Sequence, residues 1–373
     1  MAFNGLAVYD HFTGIGEDVS DLVAFLAPYE TPLLDIVGTS DYPATNVKHE
    51  WLEDTLNPTT DTLSTAISST GRAAGDQVTL TVAHPGYFRE GDLIQVAKEV
   101  LLVNSVSATS TIGARSGYGG STIVTSLGAG AAVTIIGNAA LEGEETDEDR
   151  TTTQVRRANY CQILKVGVKV SGTAQAVGWA TTRNKLADTK LARARELLRD
   201  LEKTIVLGRT DTATIGSASG RRTMAGIVCS LSTNVTSCGT LTETTLGNLL
   251  QGCYDQGSKD VDLIVVPPAL KRVISGWNSS RVRVTNDEST YRNAVEVYES
   301  DFGVQRVVMN RWLPRDTLLV LDSRRIKVVP LAGRTFAYEE LAKSGDYLRG
   351  QIVGEYTLEL RNENAHGMMH GIA

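Results

Sequence analysis

The sequence predicts an α+β protein carrying a small all-β insertion domain, and three observations carry that expectation. A long amphipathic stripe marks one helix over residues 181–206, and strand and helix patterns alternate downstream of it. Upstream, Gly71 to Ala140 holds short alternating apolar runs and only eight charged residues, about half the density of the whole chain. At roughly 150 residues per domain, 373 residues give about two to three domains. Lys and Arg number 36 against 43 Asp and Glu, a net charge of -7, so no global basic field exists for nucleic acid or anionic lipid.

The elements follow in order. Val19, Leu22, Val23 and Leu26 line one face of a first short helix, closed by Pro28. Thr31-Pro-Leu-Leu-Asp-Ile-Val-Gly38 predicts a second, with Thr31 as cap, Pro32 at the first helical position and Gly38 past the end. Pieces this short form no core of their own and read as an arm that docks elsewhere. Val47 to Leu56 and Tyr160 to Ser171 read as strands; in the second, Leu164, Val166, Val168 and Val170 alternate with Lys165, Gly167 and Lys169. We expect the two to pair as legs of one long arm, which then needs a neighbouring surface because a lone two-stranded ribbon is marginal in water.

Between the legs, Val78, Leu80 and Val82 alternate with polar residues, and Leu93–Val96, Val100–Val103 and Val133–Ile136 follow at close intervals, the spacing of a barrel or sandwich. An acidic run, Glu142, Glu144, Glu145, Asp147, Glu148 and Asp149, closes the insert. In the long helix Ala187, Leu191, Ala194, Leu198, Leu201 and Ile205 step by four and three, predicting the face that packs on a sheet, with Gly208 as terminator. Beyond a Gly/Ser/Thr-rich link come a helix at Leu241–Tyr254, a strand at Asp262–Val266, a helix opened by Pro267-Pro268, and strands at Val304–Met309, Thr317–Leu321, Ile326–Val329 and Glu355–Leu360.

The chain offers no catalytic constellation. It has no G-x-x-x-x-G-K-[ST] phosphate cradle and no G-x-S-x-G nucleophile elbow, and Gly14-Ile-Gly16 and Gly128-Ala-Gly130 lack the third glycine of a dinucleotide fingerprint. His366 and His370 have the i, i+4 spacing of a metal pair, yet glycines flank them and no general base follows, so they read as solvated or packed tail residues. Cys161, Cys229, Cys238 and Cys253 lie far apart and read as reduced, buried thiols. Trp51, Trp179, Trp277 and Trp312 are scattered and read as core or interface anchors. We expect no enzyme, no cofactor and no metal. No run reaches the length of a membrane span and the N-terminus carries no secretory pattern, so the expectation is a chain that stays where it is made. The acidic run is a candidate contact for Arg156-Arg157, Arg221-Arg222 or Arg324-Arg325 of another subunit.

Taken together, Thr31–Gly38, His49-Glu-Trp-Leu-Glu-Asp-Thr-Leu56, the return near Val166–Ser171 and the helix at 181–206 resemble the major capsid proteins of tailed bacteriophages with the Hong Kong 97-type fold. Val265-Val-Pro-Pro268, Tyr298-Glu-Ser-Asp-Phe-Gly303, Val308-Met-Asn-Arg-Trp-Leu-Pro314, Leu321-Asp322, Ala342-Lys-Ser-Gly-Asp346 and Gly354–His366 resemble the subgroup with a β-rich insertion in its E-loop. The resemblance implies an N-terminal arm at 1–46, an E-loop at 47–70 and 141–180, and the insertion at 71–140. It further implies a peripheral (P) domain at 181–220 and 345–373, with a spine helix, and an axial (A) domain at 221–344. The implied function is self-assembly into hexamers and pentamers of an icosahedral head enclosing double-stranded DNA. The implied partners are further copies, a portal, scaffold or cement proteins and packaged DNA, with no membrane, in a virion assembled in the host cytoplasm. Subunit-contact candidates are Trp51, Glu53, Asp54, Glu142, Glu144, Glu145, Asp147, Glu148, Asp149, Arg156, Arg157, Arg221 and Arg222. The alternative is a β-rich carbohydrate-binding or decoration module of a virion or cell surface.

Overall fold

The structure, a computed structural model, describes residues 30–68, 72–107, 110–124, 126–143, 151–176, 185–211, 220–258, 261–277, 297–343 and 345–373. The chain divides into two compact units, one running up to Trp51 and resuming at Arg156, the other Leu52–Val155. The expected first helix, over Val19 to Leu26, lies outside the described residues. The first unit opens with α1 (Pro32–Val37), where Pro32 occupies the first turn, and Gly38, at φ +69°, returns its N–H to the Leu34 carbonyl at 2.8 Å. Strand β1 (Lys48–Glu53) follows.

The second unit holds β2 (Thr60–Thr62), β3 (Ile67–Ser68), β4 (Gln77–Thr81), β5 (Asp92–Val96), β6 (Glu99–Val106), β7 (Thr111–Arg115), β8 (Ser126–Leu127) and β9 (Ala132–Asn138). Six of these form one sheet in the order β2-β9-β5-β6-β7-β4. Just past its two outer strands, Leu63 and Val82 bridge antiparallel, and the Ala83 N–H reaches the Thr62 carbonyl at 3.1 Å. The sheet therefore closes into a barrel, which removes the open edges a free sheet would expose. Leu63, Leu80, Ile94, Val96, Leu101, Ile112 and Val133 fill it, each about 1.5–3 kcal/mol if fully buried. The barrel begins at Thr60, ahead of the boundary expected at residue 71, because β2 is too short to register as a periodic run. Its few charges are not all solvated: Glu99 is buried, paired with Arg72, and accepts the Val124 N–H at 3.1 Å.

The first unit resumes with β10 (Val155–Tyr160), β11 (Gln162–Ser171), α2 (Gly172–Ala176), α3 (Lys185–Leu207), α4 (Ile227–Ser230), β12 (Val235–Ser237), α5 (Glu243–Asp255), β13 (Leu263–Val266) and α6 (Pro268–Trp277). Then come β14 (Val297–Ser300), β15 (Gly303–Met309), β16 (Leu318–Leu321), β17 (Ile326–Pro330), β18 (Ala337–Leu341), β19 (Tyr347–Leu360) and β20 (Gly367–His370). The long β19 organises one sheet, with β11 on one edge and β17 and β18 on the other. The second sheet has the order β12-β20-β16-β13-β15-β14.

The pairing of the legs is corrected here. Strand β1 pairs with β10, and β11 pairs with β19 from Gln162↔Tyr356 to Ser171↔Tyr347, so the expected legs are not partners. Alternation fixes which face of β11 is apolar but not which strand lies beside it. Strands β17 and β18, expected with 221–344, share a sheet with β19, while β20, expected with 345–373, lies in the other sheet. His366 and His370 therefore belong to a packed segment, and Met369 beside them is fully buried.

The helix α3 packs on the β11–β19 sheet through Leu197, Leu201, Ile205 and Val206. Leu191 and Leu198, expected on that face, are 55% and 38% exposed, because the buried rows run through 194, 197, 201 and 205. Residues 177–184, including the expected helix start and Trp179, lie outside the described residues. At its C-terminal end α3 meets the segment before α4 backbone to backbone: the Gly226 N–H donates to the Gly208 carbonyl at 2.9 Å. A Cβ on Gly226 would lie 2.6 Å from the Gly208 nitrogen and 2.7 Å from the Thr204 carbonyl, so only glycine fits. On the second sheet α5 and α6 bury Leu246, Leu250, Leu270 and Ile274 against β13 and β16. Thr242 and Thr245 exchange the reciprocal bonds of a capping box at the start of α5.

Candidate functional site

The β1–β10 ribbon carries several of the contact candidates. Lys48, Glu50 and Leu52 are exposed or nearly so along one side of β1, and His49, Trp51 and Glu53 are half-buried on the other. Arg156 lies 3.4 Å from Glu50, which also takes Lys48 at 2.5 Å. Asp54 is exposed and accepts the Thr152 hydroxyl at 2.8 Å; that bond, against the opposing effect of desolvation, holds its carboxyl below the usual range. Arg157 and Ala158 are exposed in β10. Leu52 is 60%, Leu56 94% and Val155 51% exposed.

The root of the ribbon is fixed tightly. Buried Asn159 uses its whole amide: Nδ2 donates to the Leu358 and Ala225 carbonyls at 2.8 and 3.0 Å, and Oδ1 accepts the Ala225 and Tyr160 N–H groups at 2.9 and 2.8 Å. His49 Nε2 lies 2.8 Å from Glu359 Oε2, and Arg361 pairs with the same carboxylate. Burial alone would raise the Glu359 pKa, but the bonds from His49 and Arg361 outweigh it and hold it low. Alongside, buried Glu355 pairs with Arg222 at 3.2 Å and Arg334 at 3.0 Å. Arg222 thus has an acid within its own chain, and Arg325 likewise has Asp322 at 2.9 Å. Arg221 is exposed.

Helix α1 is moored by a residue that pattern reading missed. Glu202 of α3 is fully buried and accepts the Leu33 and Leu34 N–H groups at 3.0 and 2.9 Å, capping α1 from outside, while Asn310 Nδ2 donates to it at 2.6 Å. Thr31 stands at the cap position but its hydroxyl turns to Asp35. Burial raises the Glu202 pKa against the pull of those donors. Glu202 falls between Leu201 and Ile205 on the apolar face of α3, the one signal that could have found it. Nearby, Arg311 holds Glu30 at 2.9 Å, and the Trp312 indole donates to the Glu30 carbonyl at 3.0 Å beneath the Lys203 ammonium.

Of the acidic run, Glu142 is exposed; Glu144, Glu145, Asp147, Glu148 and Asp149 lie outside the described residues. Cys161, Cys238 and Cys253 are buried, and burial pushes the Cys161 and Cys253 thiols up to about 11, whereas Cys229 is exposed, contrary to expectation. Among the described residues no cluster of His, Cys, Asp and Glu could hold a metal, and no helix is long and apolar enough to cross a membrane. The geometry is that of an anchored ribbon and a moored helix α1.

Comparison with known proteins agrees with this architecture. The family model of the SU10 major capsid protein matches residues 3–373. The major capsid protein of Escherichia phage Phieco32 is 24% identical over 287 residues, covering 62% of this chain and 80% of that one. The capsid of a native GTA particle, computed with C5 symmetry, aligns over 100% of both chains with a TM-score of 0.56 at 9% identity. The empty-particle capsid aligns over the same span with a TM-score of 0.54 at 8% identity, likenesses that speak to the fold.

Proposed function

The chain belongs to the family of the SU10 major capsid protein, and on that premise we propose that it builds hexamers and pentamers of an icosahedral bacteriophage head enclosing double-stranded DNA. It is a viral capsid protein with the Hong Kong 97-type fold of tailed-phage major capsid proteins, a family that forms oligomeric shells. The observation that carries the finer reading is the ribbon. Its root is over-determined by Asn159 and Glu359, while Leu52 and Val155 on its strands stand in solvent. A two-stranded ribbon is marginal alone, so a rigidly rooted one with apolar residues exposed suits cover by a neighbouring copy.

In this reading Trp51, Glu53, Asp54, Arg156, Arg157 and Arg221 form subunit contacts, and the acidic run from Glu142 to Asp149 meets basic residues of the next copy. Arg222 is a weaker candidate because Glu355 already holds it. Weak contacts repeated under closed symmetry add up to a stable shell and end its growth. Portal, scaffold and cement proteins are the further partners, and assembly takes place in the host cytoplasm. Electron microscopy of the purified chain, alone and with its neighbouring gene products, tests the proposal. Rings of five and six or closed shells are expected; a persistent monomer, or small oligomers that bind glycans, would overturn it.

A further inference from the structure

On the face of the β11–β19 sheet turned away from α3, Lys165, Lys169 and Arg349 line a groove of about 530 Å³ with Gly167, Gln351 and Tyr347. Alternation puts them there: Leu164 and Val168 pack in the core with Leu197 and Leu201 of α3, so the residues between them point the other way. Lys169 and Arg349 are direct cross-strand partners, a like-charge pair that costs stability when nothing answers it. All three cations are exposed, and none is in an ion pair among the described residues; the Lys169 ammonium rests instead 3.7 Å from the centre of the Tyr347 ring. Of the acids on the same face, Glu339 is engaged by the Gln351 amide at 2.9 Å, and Glu355 by Arg222 and Arg334.

We propose that this groove binds the phosphate backbone of double-stranded nucleic acid. A fold that sets two cations opposite each other, and a third four residues along the same strand, presents a line of positive charge about 13 Å long. Duplex DNA offers one negative charge per ~1.7 Å of axis, so such a line spans several phosphates. At Gly167 nothing stands within 4 Å of where a Cβ would be, leaving room for a backbone to come close. The groove's one aromatic ring is already faced by an ammonium. The inference rests on the reading of the chain as a DNA-enclosing shell for the source of its ligand, and it adds a defined contact surface to that reading.

The test uses the full chain and a labelled 30-base-pair duplex, with binding followed by fluorescence anisotropy from about 50 to 200 mM salt. Combined Lys165→Gln, Lys169→Gln and Arg349→Gln should weaken binding on the order of tenfold or more at low salt, and flatten the slope of log K against log salt by about 2 to 3. The same variant should melt no lower than the parent, since it relieves the Lys169–Arg349 repulsion. A control removing equal charge elsewhere, Lys98→Gln, Arg306→Gln and Arg315→Gln, should leave the slope within about one of the parent value. Equal slopes for the two triple variants would overturn the proposal, as would tighter binding of a synthetic peptide copying residues 141–150 than of DNA. Electron microscopy of the same samples separates the two readings. Shells that form while the groove variant binds DNA like the control sink this inference alone; groove-dependent binding by a chain that never assembles supports it while sinking the shell.

Discussion

Replacing Glu202 by alanine takes away the single acceptor shared by the Leu33 and Leu34 N–H groups and the Asn310 amide. Each buried donor left without a partner costs about 1–3 kcal/mol, and losing a cap costs about 1 kcal/mol by itself. Leu34 is only partly buried and can recruit water, and the variant no longer desolvates a carboxylate, so the net loss should sit near ~3 kcal/mol. The loss should be local first, because a six-residue helix has no stability of its own and α1 holds its place through Leu33 and this cap. Hydrogen exchange followed by mass spectrometry would read it: protection over residues 32–38 should fall by roughly a hundredfold, the equivalent of ~3 kcal/mol, ahead of any change in the β11–β19 sheet. Glu202→Gln keeps one oxygen and should lose about half as much. Unchanged exchange over residues 32–38 in the alanine variant would refute the idea that a carboxylate from α3 moors α1.

Three further outcomes are expected. Buried His366 accepts the Asp322 N–H on Nδ1, and burial lowers its pKa from 6.5 to about 4. The unfolded chain then takes up that proton first, so stability is full above about pH 6.5 and falls by up to ~3 kcal/mol as the pH drops towards 4. Urea midpoints at pH 7.5 and 4.5 should converge in a His366→Gln variant, and an undiminished pH dependence there would count against His366 as the source. Gly226→Ala should cost roughly 2 to 3 kcal/mol, because its methyl would meet backbone atoms of Thr204, Ile205 and Gly208 that cannot swing aside; a melting temperature equal to the parent's would show that the contact yields. Excising residues 55–151 and joining Asp54 to Thr152, which already touch, by a short turn should leave the rest of the chain folded with near-parent near-ultraviolet circular dichroism; insoluble product would show that the barrel is needed for folding.

How far the sequence could be read depended on whether the deciding interaction was local. The runs that became β13, α6, β16 and β17 were each set by apolar residues between turn or proline signals, and they appear within a residue or two of expectation. The partner of β11 was not local information, since any strand of matching alternation could have filled the place of β19. In α3 the four-three spacing fitted two neighbouring faces, and only the sheet beneath selected the one with Leu197. Glu202 looked like a solvent-facing acid because its partners lie about 170 residues earlier and 108 later in the chain. Strand β20 is short, glycine-led and carries a histidine, a composition that reads as a tail until β12 and β16 take it between them. Of the contact candidates, Asp54 was placed beside the ribbon by strand pattern, but β10, which carries Arg156, starts ahead of the strand expected from Tyr160, and that Arg222 is held by Glu355 required a contact across 133 residues.

Strand β20 also sets a clock. Its neighbours β12 and β16 touch only through it, and β12 leaves the ribosome about 130 residues earlier. At ~5–20 residues per second, β12 waits roughly seven to twenty-five seconds for its partner during synthesis. Strand β16 itself comes only ~80 residues after β12, so for the last ~2 to 9 seconds of that wait the sheet ends at β16 with an unpaired edge, and Met368 and Met369, which belong to the two main cores, have not yet been made. A nascent or prematurely terminated chain therefore lacks the strand that joins β12 to β16 and the two methionines that it places in the two main cores.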